Sequence, residues 1–543
     1  MKSADSRFFR RTALKNAPLS SSVMGLLTAP LLAAFLSAGG LWLPAAAQAD
    51  DGSDAIPASP DDLVFQSLEF SPPNGADYRH VIAGDIPVFV VEDRSLPLIR
   101  LAVSARAGAY LDPVEQTGLA TLAAEVLRSG GTESLSPEAF DEQVDFYAAD
   151  LDVNADLEQT SATLSCITPV WEECLDLFFD MMRNPRFDAD RLQVAKDRAL
   201  ESLKRRNDNP ADIETRNWGW LLYGEDFYAT TRSTGPELSS IQQADLVSFH
   251  RRWWTPANLS FAVAGDVDTR EILASLEKHL EGWERGEEAP WPPPTPEASA
   301  EPGLYVVQKE IPQGRVYLGH RALQWSAEWD NADAPALRVM NHILGAGGFT
   351  SRLLKRIRSD EGLAYSAGSL YLMNPYYEGQ FFAYFQSKSD TVALATKIAL
   401  EEIRRIQSEP VSDAELQLAK SALVESFPQT FQSTSQVAAT LLSDEISGRP
   451  NSYWELFRQR IEAVTVADVQ RVAQTHLHSD DMILVMVGDW PVIAAGDADG
   501  RATMESVYPG EPTLLPLRDP VTLEPVETGA EEVASAEASE SDA

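Results

Sequence analysis

Cysteine and histidine are scarce in this 543-residue chain, with two Cys (Cys166, Cys174) and seven His (His80, His250, His279, His320, His342, His476, His478). Two cysteines exclude a disulfide scaffold and a cysteine-based metal framework. They leave open one disulfide, which an exported chain permits, or two small core residues. His476 and His478 would share a face if extended, but no carboxylate adjoins them, so satisfied loop or edge histidines are expected. Basic residues are also few, 44 against 82 acidic ones, for a formal net charge of −38. Such a chain repels nucleic acid and anionic lipid, and its acidity reads as a solubilising surface rather than as a clue to substrate.

Apolar residues make up 44% of the chain, enough to fold the two or more domains that its length implies. Residues 1–49 stand apart: a basic start (Lys2, Arg7, Arg10, Arg11, Lys15), an apolar run from Val23 to Leu43, and Ala47-Gln-Ala49 before Asp50. This is the pattern of a cleaved export signal. Pro30 and Pro44 weigh against an uncleaved anchor, and Arg10-Arg11 fits the twin-arginine route as well as an ordinary Sec signal. Cleavage removes five bases and one acid, which moves the net charge to about −42.

Beyond a polar leader, Val88–Glu92 and Leu98–Ala105 read as a strand pair joined by a turn at 93–95. Helical patterns follow at 118–127 (stopped by Gly130-Gly131), 139–148, 170–182 and 188–206, and from Ser240 as a cap to Trp254. Residues 151–167 alternate as strands do, and Leu259–Gly265 reads as a buried strand. Residues 284–303, with Pro292-Pro-Pro294, form a stiff linker, after which the order of elements restarts. Phe187–Lys196 recurs as Val411–Lys420, and Ser260–Asp266 as Ile483–Asp489, at offsets of 224 and 223 positions. The helix ending at Leu127-Arg-Ser-Gly-Gly-Thr132 has a counterpart ending at Leu344-Gly-Ala-Gly-Gly-Phe-Thr350. The chain is therefore read as two diverged copies of one α+β unit, at 60–283 and 304–510, with an acidic, disordered tail at 523–543.

Four features, in this order, resemble the M16 (pitrilysin- and insulinase-like) zinc peptidases: Gly118-Leu-Ala with its helix, Trp254–Leu259 before Gly265-Asp266, Ser351-Arg-Leu353, and Arg358…Gly362-Leu-Ala-Tyr365. The resemblance spans about Leu63 to Val507 and implies two homologous halves forming a clamshell around an extended peptide. Active members carry HxxEH in the helix after Gly-Leu-Ala, two His binding zinc and the Glu activating water. The matching positions here are Thr121, Ala124 and Glu125, so this chain is expected to bind no metal. Glu125, and Glu201 near the place of the family's third ligand, are expected to be surface or helix-pairing carboxylates.

The family's heterodimers divide the chemistry, one chain bringing zinc and its partner an Arg/Tyr pair spaced R-x6-Y. Arg358 and Tyr365 fit that spacing. The resemblance thus implies a periplasmic subunit without zinc that joins an HxxEH-bearing partner on a peptide substrate, with zinc in the partner. Arg358 and Tyr365 would donate to the oxyanion, and the Gly345–Gly348 run, with Gly347 and Gly348, would lie over the peptide. Read alone, Arg358 could pair with Asp360 or Glu361, and the glycines could be a helix stop. The competing functional reading is a non-catalytic scaffold or peptide-binding protein of the same fold.

Overall fold

The computed structural model describes residues 70–297, 299–325 and 331–526. The expected signal, residues 1–49, and most of the acidic tail lie outside the described residues.

Six strands form a first sheet: β1 (Arg79–Ile82), β2 (Ile86–Glu92), β3 (Leu98–Ala105), β4 (Asp150–Ala155), β5 (Thr160–Ile167) and β6 (Leu259–Gly265), in the order β1-β2-β6-β3-β5-β4. A second contains β7 (Gly303–Gln308), β8 (Gln313–Ala322), β9 (Ala364–Leu372), β10 (Gly379–Lys388), β11 (Ile483–Gly488) and β12 (Thr513–Leu515), in the order β12-β7-β11-β8-β10-β9. Five strands of each sheet match: β2 runs parallel to β6 as β7 does to β11, and the next three strands of each sheet are antiparallel; the outer strands differ, β1 being antiparallel to β2 and β12 parallel to β7. The repeat read from the sequence is thus a repeat of topology. Repeated lysines also do the same work. Lys196 Nζ donates to the Ile241 carbonyl and Lys420 Nζ to that of Val464, each at 2.8 Å and each just before a helix.

Two expectations fail locally. β2 and β3 are not a hairpin, because β6 lies between them. β6 is apolar on both faces, and the centre of a covered sheet is where such a strand loses least. The helix expected from Ser240 instead starts at Gln243 with Gln242 as its cap, Ser240 ending a short preceding helix. Gly265, at the end of β6, has φ +127°, and a Cβ there would sit 2.0 Å from the Leu98 carbonyl oxygen, so no larger residue fits.

Each sheet buries one face in its own half, under helices such as Leu119–Ser129 and Trp171–Arg183, or Ala334–Asn341 and Val392–Ser408. The opposite faces are covered by exchange. Helix Pro210–Tyr223 of the first half packs through Ile213, Trp218, Leu222 and Tyr223 against Val307, Phe382, Ile483, Val485 and Val487 of the second sheet. Helix Thr434–Ser447 of the second half lays Ala438, Leu441 and Leu442 on Phe89, Val91, Ala262 and Ala264 of the first. The two helices have 14 residues each and start 224 positions apart, the offset of the sequence repeat. Burial on both faces explains why every residue of β11 is buried.

One ion pair lies inside this exchange. Glu214, fully buried on helix Pro210–Tyr223, accepts from Arg315 Nε on β8 at 2.7 Å, and its second oxygen is unpartnered. Burial pushes the carboxyl up to about 8, with Arg315 pulling the other way. A raised carboxyl stabilises the fold fully below its ordinary value of 4.5 and loses that contribution as pH climbs through 8. Glu214→Gln is therefore expected to gain on the wild type by a few kcal/mol between pH 5 and pH 8, at ~1.4 kcal/mol per pH unit. Urea unfolding of both proteins at the two pH values checks this, and a difference independent of pH would show Glu214 ionised throughout.

Candidate functional site

The segment from Arg352 to Tyr365 is fixed from behind. Leu353, Leu354 and Ile357 are buried in the core of the second half. Arg352 makes a two-pronged pair with Glu415 (2.7 and 3.1 Å), and Arg356 reaches the buried Glu402 at 2.7 Å. Burial would raise the Glu415 carboxyl, but hydrogen bonds from Arg352 and Ser412 outweigh it and hold it down to about 2. The helical turn Lys355–Asp360 is widened to π geometry, a local bulge of the kind often found at functional sites. Gly362, at φ +66°, then turns the chain into β9, with Leu363 N donating to the Ile357 carbonyl at 2.9 Å.

With its neighbours anchored inward, Arg358 faces outward. Its guanidinium carbon lies 4.6 Å from the centroid of the Tyr365 ring and 4.8 Å from that of Phe349, a cation held between two aromatic rings. Tyr365 is 83% exposed and Phe349 70% exposed, unusual for such rings. Among the described residues Arg358 has no ion pair, and neither its guanidinium nor the Tyr365 hydroxyl has a hydrogen-bond partner. Of the two neighbouring carboxylates, Asp360 and Glu361, neither forms an ion pair with Arg358, and Glu361 pairs with Arg501 at 2.7 Å. The pair is thus oriented by ring contacts while its polar hydrogens stay available. Phe349 went unread in the sequence; its signal was an aromatic directly after Gly347-Gly348 in the same block.

Gly347 and Gly348 sit at the end of the helical stretch Ala334–Ala346, where the short turn Gly348–Thr350 carries Phe349 to Arg358. Gly348 has φ +58° with open space around its Cα, and Gly345 touches β9 so closely that a Cβ would meet Ser369 N at 2.1 Å. The loop is therefore pressed onto the strand that bears Tyr365. That strand, β9, is the last in its sheet and pairs only with β10 among the described residues. An edge with no second strand partner is where an extended peptide could add, although the Ser369 carbonyl of β9 already accepts from Asn341 Nδ2 at 3.3 Å.

The counterpart of the zinc motif does not fit a metal. Helix Leu119–Ser129 is sealed at its start by Asp112, whose carboxylate accepts from Gly118 N and Ala120 N at 2.8 Å each; burial nevertheless pushes that carboxyl up to about 7. Thr121 is exposed and Ala124 buried. Glu125 pairs with Arg198 at 3.1 Å and Glu201 with Lys204 at 2.5 Å, so both carboxylates are engaged in helix-surface pairs. Among the described residues no three His, Cys, Asp or Glu side chains are grouped to hold a metal ion. His476 hydrogen-bonds Asp333 at 2.7 Å, and the His478 backbone donates to His320 at 3.0 Å. Cys166 and Cys174 are buried and free. No described helix is long and apolar enough to cross a membrane.

Residues 88–218 match the family profile described as insulinase (peptidase family M16), and residues 240–423 the one described as peptidase M16 inactive domain. The chain is 25% identical over 438 residues to a protein of Helicobacter pylori named non-peptidase homolog YmxG, covering 78% of this chain and 96% of that protein. It is 30% identical over 312 residues to an uncharacterized zinc protease of Mycobacterium tuberculosis, covering 56% and 69%. In fold it is similar to the crystal structure of a peptidase M16 inactive domain from Pseudomonas fluorescens, with TM-score 0.67, 24% identity and coverage of 76% and 97%. The periplasmic protease PqqL from Escherichia coli superposes with TM-score 0.63 at 16% identity, over 76% of this chain and 46% of that one.

Proposed function

Because this chain belongs to the M16 peptidase family yet carries Thr121, Ala124 and Glu125 at the HxxEH positions, we propose that it is the non-zinc subunit of a periplasmic heterodimeric metallopeptidase. The observation that carries this reading is the Arg358–Tyr365 pair. The two are stacked on each other beside a sheet edge that has no strand partner among the described residues, and no described carboxylate forms an ion pair with the arginine. An extended peptide would add to the edge of β9 beneath the Gly347-Gly348 loop, its main chain giving affinity with little sequence choice. The zinc of an HxxEH-bearing partner would supply the activated water. Arg358 would place a fixed positive charge, and Tyr365 a neutral O–H donor, against the oxyanion that forms from the peptide carbonyl.

The test is reconstitution. This chain alone is expected not to cleave a quenched-fluorescence peptide, whereas its mixture with an HxxEH-bearing M16 chain cleaves faster than that partner by itself. A mixture no faster than the partner alone would overturn the reading. One observation favours a second reading, a non-catalytic scaffold or peptide-binding protein: a relative aligned over 78% of this chain and 96% of its own length bears the name non-peptidase homolog. Under it, the mixture would bind peptide without added turnover.

A further inference from the structure

Four arginines meet where the C-terminal return of the chain touches the first half, far along the sequence from Arg358. Arg206 follows helix Ala189–Lys204, Arg216 lies on helix Pro210–Tyr223, Arg232 is in the loop beyond, and Arg518 follows β12. The guanidinium carbons of Arg216 and Arg518 lie 5.6 and 5.1 Å from the centroid of one ring, that of Trp220. Arg216 Nη2 donates to Asn207 Oδ1 at 2.9 Å, and Asn207 Nδ2 donates to the Arg518 carbonyl at 2.7 Å. Arg206 Nη2 donates to the Ser233 carbonyl at 2.7 Å, next to Arg232, whose Nη1 donates to the Thr231 carbonyl at 2.9 Å.

The charges are only partly matched: Glu237 acts on Arg206 and Asp212 on Arg216 through space, without an ion pair to either. These acceptors are carbonyls and one amide, and among the described residues the sole ion pair in the group joins Arg518 to Glu225 at 2.6 Å. Arg216 is only 4% exposed, and among the described residues its Nε has no partner; Nη1 of Arg206 is likewise buried and without a partner among them. Burial first, and then the charges of Arg206, Arg232 and Arg518, push Arg216 down to about 10. Arg206 and Arg232 are also lowered, chiefly by burial. Unmatched cations with idle donors are costly inside a protein, more so when a neutral side chain would fit, and a bound anion removes that cost.

We propose that this cluster binds an oxyanion, with Arg216 at its floor and the partly exposed Arg206, Arg232 and Arg518 around it. Guanidinium forks suit phosphate and carboxylate alike. Two sources supply that chemistry. One is free phosphate. The other is the chain itself, for Val526 N donates to the Leu517 carbonyl at 2.8 Å, next to Arg518, and the sequence goes on with Glu527, Glu531, Glu532, Glu537, Glu540 and Asp542. Either anion would staple the C-terminal return to the first half.

Inorganic phosphate titrated calorimetrically into the mature full-length chain tests this. A second arm uses the same chain with the five tail glutamates changed to Gln and Asp542→Asn, and thermal unfolding is followed against sodium chloride at matched ionic strength. One-site saturation in both chains identifies free oxyanion as the ligand; saturation only in the amide chain identifies the tail as the occupant. Arg232→Gln, at a partly exposed position, is expected to weaken phosphate binding roughly ten- to hundredfold, and Arg216→Met to do the same where it folds. No saturable binding in either chain, an equal rise in Tm with sodium chloride, or undiminished affinity in Arg232→Gln overturns the proposal.

Discussion

Arg358→Ala, assayed in the reconstituted pair, is expected to lower kcat by about 10²–10³, that is ~2.7–4 kcal/mol of transition-state stabilisation. Tyr365→Phe, which removes one hydroxyl, falls in the same range. Tyr365 is 83% exposed and Arg358 half-buried against rings, so neither replacement opens a core cavity and the Tm should stay within the small range of surface substitutions. KM should move little if the donors act on the oxyanion and not on the bound peptide. Arg358→Lys keeps the charge but loses the planar face that stacks between Phe349 and Tyr365, and should recover only part of the rate. Unchanged turnover in Arg358→Ala and Tyr365→Phe would remove the catalytic role and leave the scaffold reading.

Trp218→Ala should be among the most damaging single changes to the fold, at about 3–5 kcal/mol. Trp218 is 2% exposed, lies 5.9 Å from the Tyr317 ring and 5.7 Å from the Phe382 ring, and donates its indole N–H to Gln380 at 2.6 Å. It belongs to the first half, but Tyr317, Phe382 and Gln380 belong to the second, so the loss is felt as loosened attachment between halves. Leu441→Ala, on the reciprocal helix, should cost about 2–5 kcal/mol. The two sites lie on different sheets, and their costs should add. Urea unfolding of both single variants and the double variant measures this; a Trp218→Ala loss below ~1 kcal/mol would mean that the exchange contributes little.

Much of the fold was legible because it is written twice. The recurrence of Phe187–Lys196 and Ser260–Asp266 needs no structure to be seen, and it carried over into matching sheets. The β2–β3 hairpin was misread because the strand that separates them arrives more than 150 residues later, and local turn signals do not register a competitor so distant. That Trp218 enters the core of the second half was not legible, since apolar residues do not name the sheet they will cover.

The same division runs through the sites. The R-x6-Y spacing of Arg358 and Tyr365, and the absence of HxxEH, are facts of the sequence, because chemistry depends on residue type and both signals are local. That Arg358 has no carboxylate partner among the described residues and is held between Phe349 and Tyr365 was decided by packing: Arg501 takes Glu361, while Glu415 and Glu402 take Arg352 and Arg356. The gathering of Arg206, Arg216, Arg232 and Arg518 has no sequence signature at all, for its members are spread over more than 300 positions. Sequence alone determined the duplication, the lost metal motif and the candidate donors. Tertiary structure decided which charges are matched and which are left over, because pairing is settled by distances that only the folded chain sets.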